Sequence, residues 1–221
     1  MKKILLLFLV LVFISILLAE PVVLRIKSFK DKWLDNKYVL TGNVYINREN
    51  EVTVTTENAT LTKENGEWTD LTTLQDTHIV FESGNASSLL LDYIFDSMTG
   101  TMTQNIECNI NVRKDDGTID PDGKVVVNNA DTLYFDLNED YFLGWITEES
   151  SPQISINFKD EMDMVADYFE YFNEEGKVIM KGNVFVDDKK NSRTVKGEEV
   201  YYDVDKDEFT GIKTLIEFYV D

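Results

Sequence analysis

The stretch ADTLYFDLNEDYFLG (residues 130–144) decides the fold. It opens with Leu133 and Phe135 two apart, passes through an acidic tip containing Asp136 and Asp140, and returns with Phe142 ahead of Gly144. Residues two apart share one face of a strand. Asp favours turns because its carboxylate can hydrogen-bond its own backbone. The stretch therefore reads as a hairpin with one apolar face. Two others of equal length align with it without a gap: ASSLLLDYIFDSMTG (86–100) and GEEVYYDVDKDEFTG (197–211). The aligned apolar stripe is Leu89, Leu91 and Met98 in one copy, Leu133, Phe135 and Phe142 in the next, and Val200, Tyr202 and Phe209 in the last. Paired acids recur at Asp92/Asp96, Asp136/Asp140 and Asp203/Asp207, and looser copies begin at Ala59 and Ala166. The glycine closing each copy is expected at a bulge or bend.

A lone hairpin of this kind is marginal in water. Several placed side by side bury a continuous apolar strip. The copies recur at uneven spacing, so a tight solenoid is not expected. The pattern predicts an all-β chain whose long antiparallel sheet folds over on itself. A second repetition marks where it folds. LTGNVYIN (40–47) returns as MKGNVFVD (180–187), and both glycines are expected at equivalent corners. The one helix-like stretch, 151–172, is ambiguous in its apolar spacing, and the alternation of Ile154, Ile156 and Phe158 favours a strand.

Residues 1–19 read as a targeting segment: Lys2 and Lys3, then an apolar run over 4–18, then Ala19 before Glu20 and Pro21. A spanning helix needs about 20 apolar residues, so a cleaved secretory signal is the first reading and an uncleaved inner-membrane anchor the second. The rest, 20–221, is read as one domain. The composition, 43% hydrophobic with ten Tyr and thirteen Phe, suffices for a core. A net charge of −20 argues against nucleic acid and anionic membrane faces as partners. The single cysteine, Cys108, excludes an intrachain disulfide, and the single histidine, His78, excludes a multi-histidine metal site.

The ordered set LTGNVYIN (40–47), NNADTLYFDLNEDYFLG (128–144), VADYFEYFNEEGKVIMKGNVFV (165–186) and VKGEEVYYDVDKDEFTG (195–211) resembles the OstA-like family, which includes the LptA and LptC types of periplasmic lipopolysaccharide-transport component. The resemblance implies an antiparallel β-jellyroll, a trough for the acyl chains of an envelope lipid, end-to-end pairing of terminal strands with other OstA-like domains or with itself, no cofactor and no enzymatic activity. The charge departs from a simple version of that picture, because lipopolysaccharide is itself anionic. Acyl burial at about 0.8 kcal/mol per CH₂ outweighs screened head-group repulsion if the head stays outside.

The stripe Leu89, Leu91, Met98, Leu133, Phe135, Phe142, Val200, Tyr202 and Phe209 is thus either a lipid-contacting groove or an ordinary closed core. A structural or adhesion-type envelope protein is the alternative that goes with the core. The acidic sets fit turn chemistry better than calcium binding: DVDKDEFTG has Glu208 where an EF-hand loop needs its sixth-position Gly, and Thr214 where it needs its twelfth-position Glu. No metal site and no catalytic residue is assigned. The chain holds no nucleophile elbow or phosphate-binding glycine loop, and no carboxylate pair is singled out for glycoside chemistry.

Overall fold

The computed structural model describes residues 23–114, 116–148 and 151–219. The targeting segment, 1–19, lies outside the described residues. Among the described residues, eighteen strands run in chain order: β1 (Leu24–Lys27), β2 (Lys30–Leu34), β3 (Lys37–Arg48), β4 (Val52–Glu64), β5 (Glu67–Phe81), β6 (Gly84–Ile94), β7 (Thr99–Thr103), β8 (Glu107–Arg113), β9 (Ile119–Asn128), β10 (Thr132–Asp136), β11 (Tyr141–Trp145), β12 (Ile154–Phe158), β13 (Met162–Ala166), β14 (Tyr168–Phe172), β15 (Lys177–Asp188), β16 (Arg193–Asp203), β17 (Glu208–Ile212) and β18 (Leu215–Phe218). The stretch 151–172 forms strands, as its alternation predicts.

Every pairing is antiparallel, and the pairings resolve into two stacked layers. The first runs β2–β3–β4–β5–β6–β7–β10–β11–β14–β15–β16–β17, using the Lys37–Thr41 end of β3 and the Lys177–Lys181 end of β15. The second runs β1–β3–β4–β5–β6–β8–β9–β12–β13–β15–β16–β18, using the Val44–Arg48 and Val184–Asp188 ends of the same strands. The long strands β3, β4, β5, β6, β15 and β16 belong to both layers and bend between them. This is the antiparallel, jellyroll-like sheet folded over on itself that the repeated hairpins predict.

The bend has a local cause. In β3 it falls at Gly42 (φ +77°) and Asn43 (φ +49°), in β15 at Gly182 (φ +75°) and Asn183 (φ +48°). Both registers break there, between Thr41 and Val44 and between Lys181 and Val184. Left-handed backbone suits Gly, and Asn tolerates it better than most residues. The repeated Gly-Asn is thus a pair of bulges that turns two strands from one layer into the other. Gln75–Asp76 in β5 does the same with φ +72° and +45°.

Period-two alternation sends apolar residues between the layers, where they form one buried cluster. Each large side chain fully removed from water there is worth about 1.5–3 kcal/mol. Rings meet across the gap: Phe81 of the second layer lies 5.7 Å from Phe142 and 6.1 Å from Phe135 of the first. Phe158 of the second meets Tyr171 and Tyr202 of the first edge-on at 6.2 and 5.9 Å.

Three glycines depart from expectation. Gly100, Gly144 and Gly211 sit inside β7, β11 and β17 and make no bend. At Gly100 the reason is room. It is paired with Phe135, whose ring tip lies 2.2 Å from where a β-carbon would stand.

Candidate functional site: the space between the layers and its seam

Of the nine stripe residues, Leu91, Leu133, Phe135, Phe142, Val200 and Tyr202 point between the layers and are at most 4% exposed. Phe209 is half-buried and stacks on Tyr202 with ring centres 4.5 Å apart. Leu89 and Met98 are not brought into the stripe. Leu89 lies at the corner, its N–H bonded to the Gln104 carbonyl at 2.9 Å, and Met98 stands in the turn after β6 with φ +53°. The structural equivalents of Leu133, Phe135 and Phe142 are Leu91, Tyr93 and Gly100. Phe135 pairs with Phe142 as Tyr93 pairs with Gly100. The gapless alignment of 86–100 is therefore two residues out of register. A slip of two keeps every side chain on its face, so alternation alone does not detect it.

The acids divide by role. Asp136 Oδ1 accepts the Asn138 N–H at 3.0 Å, and Asp203 Oδ1 the Lys206 N–H at 3.1 Å, which is the turn chemistry expected. Asp140 and Asp207 instead bridge the layers. Two rows of turns face one another along the side opposite the corners. In the first layer these include 95–98, 137–140, 173–176 and 204–207; in the second, 49–51, 82–83, 116–118 and 189–192. Among the described residues, no backbone-to-backbone hydrogen bond joins the two rows.

Side chains join them instead: three of the chain's four arginines take part, Asn173 Nδ2 donates to the Asn111 carbonyl at 3.0 Å, and Asn191 Nδ2 donates to Asp207 Oδ2 at 3.0 Å. Arg113 Nε donates to Asp140 Oδ2 at 2.6 Å, and the Arg113 N–H to Asn173 Oδ1 at 3.0 Å. Ser83 donates to Asp140 Oδ1 at 2.6 Å. Arg193 Nη2 donates to Asp207 Oδ1 at 2.9 Å and lies 4.9 Å over the Phe209 ring, while its Nε bonds the buried Asp188 at 2.6 Å. Arg48 donates to the Phe95 carbonyl, lies 5.5 Å over that ring, and holds Glu51 at 3.0 Å. Burial pushes the Glu51 carboxyl pKa up, and the charge of Arg48 opposes the shift. Beside it the buried Tyr93 hydroxyl has no hydrogen-bond partner among the described residues. Sequence reasoning missed this seam. Its residues are far apart in the chain, and the arginines carry no shared motif.

Two hollows open along the seam on either side of Arg113. One, of about 60 Å³, is lined by Glu51, Phe81, Met98 and Leu137. The other, of about 410 Å³, is lined by Val112, Lys159, Val204 and Asp205. A larger concavity, about 610 Å³ and lined by Val39, Thr60, Thr72, Leu74 and Leu90, lies against the first layer near its corner. Among the described residues, no helix is long and apolar enough to cross a membrane, and no three His, Cys, Asp or Glu side chains gather as metal ligands would.

Among the described residues, the terminal strands leave both ends of each layer unpaired. At one end, β1 and β2 pair only with β3 and carry Arg25, Lys27, Lys30 and Lys32 against Asp31. At the other, among the described residues, β17 and β18 pair only with β16 and carry Glu208 and Glu217, with Lys213 in the link between them. Both ends expose apolar residues, with Phe29 88% and Trp33 54% exposed at one, and Phe218 64% and Leu215 54% exposed at the other.

A solved periplasmic transport protein is similar over most of its length. It is LptH, the LptA-homologous periplasmic component of the lipopolysaccharide transport device from Pseudomonas aeruginosa. The match has 10% identity, covers 90% of this chain and 95% of that one, and has a TM-score of 0.23. A score that low carries no argument about function, and the architecture above rests on the strand pairings alone. No family model matches the chain, and no curated protein does.

Proposed function

We propose that this protein is an exported, non-enzymatic carrier in a lipid-transfer bridge. It would pass acyl chains of lipopolysaccharide or a less anionic envelope lipid between its layers, in the periplasm, toward the outer membrane. The observation that carries the proposal is the pair of open sheet ends. Unpaired edges normally invite association and are blunted. Here both ends keep exposed apolar residues, and their charges are opposite. In a chain of net charge −20, a basic first edge and an acidic last edge favour joining the first edge of one copy to the last edge of another by strand addition. Such joining would align the apolar interiors of successive copies. The OstA-like motifs support the same reading.

A specific observation favours the structural alternative. The interior is filled by its own side chains, with Phe135, Phe142 and Leu133 fully buried. Native mass spectrometry with lipid extraction, on protein purified from its own host, separates the two. A co-purifying multi-acyl lipid upholds the carrier. Lipid-free protein that refuses added lipid and stays monomeric at high concentration overturns it in favour of a closed envelope module.

A further inference from the structure

The two long sides of this sandwich are built differently. On one, continuous strands cross between the layers at Gly42–Asn43, Gln75–Asp76 and Gly182–Asn183. On the other, only side chains connect the rows of turns among the described residues, and Arg48, Arg113 and Arg193 make the principal contacts. We propose that the arginine side is a port. The layers hinge at the corners and part along the seam, and this is how an acyl chain reaches the interior. The inference rests on the carrier reading for its ligand, though not for the motion itself.

Three observations converge on it. First, among the described residues no ladder of backbone bonds joins the layers along the seam, so opening there breaks no sheet. Second, what lies directly beneath the clasps is apolar: Phe81 lines the smaller hollow and Val112 and Val204 the larger, and the rings of Phe135, Phe142 and Phe158 continue inward. Third, the clasps are composed for the surface of a port. Arg113 and Arg193 each hold a carboxylate of the opposite layer (Asp140 or Asp207), Arg48 holds Glu51 of its own turn, and Arg48 and Arg193 also cover an aromatic ring of the opposite layer. The Arg193–Asp207 contact, whose carboxylate is partly exposed, parts more cheaply than Arg113–Asp140, whose carboxylate is buried, and in both water rehydrates the charged groups once they separate. An apolar or hydrogen-bonded backbone seam would not reopen so readily. Regions that open locally are drawn from the least cross-linked parts of a fold.

Strand β8 offers an internal ruler. Its Cys108 faces the interior near the corner, and Val112 faces the interior next to the seam; both are buried. The test compares thiol labelling by a water-soluble disulfide reagent in the full chain and in a Cys108→Ala/Val112→Cys variant. It repeats the comparison after adding Arg48→Gln and Arg193→Gln, which lie elsewhere along the seam. Opening at the seam labels position 112 about tenfold faster than position 108, and the arginine changes raise that ratio further. Global unfolding exposes both thiols together. Equal rates that follow urea stability in every variant therefore overturn the port. Uptake of dodecanoate, read separately, keeps the two ideas distinct. A seam that opens without uptake upholds the port and sinks the lipid ligand. Uptake with equal thiol rates upholds the ligand and sinks the port.

Discussion

Gly42 and Gly182 stand at matching corners, with φ of +77° and +75°, and each is followed by an asparagine in the same left-handed region. They differ in what surrounds them. A β-carbon on Gly182 would sit 2.5 Å from Asp167 Oδ2, and that carboxylate is held by Asn183 at 2.7 Å and Gln153 at 3.0 Å. A β-carbon on Gly42 would meet only the Phe29 side chain, at 3.0 Å, on an exposed edge. Gly182→Ala is therefore expected to destabilise by about 2–3 kcal/mol and Gly42→Ala by about 1 kcal/mol. Urea denaturation of the two variants checks the order.

Phe135 and Gly100 form a fitted pair. Gly100→Ala drives a methyl into the ring and should cost about 1–3 kcal/mol. Phe135→Ala should cost about 3–5 kcal/mol as a closed-core substitution. The double variant should lose less than the sum, because removing the ring makes room for the methyl. A Phe135→Ala protein that keeps its stability would point instead to a hollow, adaptable interior.

Asp131 ties the corner loop to β10. Its Oδ2 accepts the Thr147 N–H at 2.6 Å, the Thr147 hydroxyl at 2.9 Å and the Ser151 hydroxyl at 2.8 Å. The backbone bond from Thr147 leads in holding this carboxyl below its ordinary pKa, against the opposing pull of desolvation. A lowered folded-state pKa stabilises above the unfolded value, near 3.9, and that contribution fades as pH falls through the folded value. The wild type should thus lose more stability between neutral pH and about pH 3 than Asp131→Asn does. Parallel urea titrations of the two proteins measure the difference.

End-to-end joining should respond to charge. Lys30→Glu with Lys32→Glu reverses most of the basic edge that β2 presents beside Trp33. Sedimentation should show self-association that weakens in high salt for the wild type and is lost in this variant. Trp33→Ala should weaken it through lost apolar contact, with the salt dependence retained.

Much of this architecture was legible because it is local. Two-residue periodicity fixed which side chains of β10, β11, β15 and β16 face inward, and the repeated Gly-Asn marked both corners. Where the reading slipped, the physics explains why. Leu89 and Met98 align into the stripe by sequence because a shift of two residues leaves alternation unchanged, and only strand pairing shows that Tyr93 and Gly100 hold those places. The sequence predicts a bend at Gly100, whereas its role is to clear space for a ring from a different hairpin.

The sequence by itself determined an acidic all-β chain, its amphipathic hairpins and its glycine corners, since each follows from neighbours a few residues apart. The tertiary structure alone decided what closes the opposite side. Arg48, Arg113 and Arg193 are distant in the chain and share no pattern. They come into one row, facing Phe95, Asp140 and Asp207, only because folding the sheet over brings its two sets of turns together.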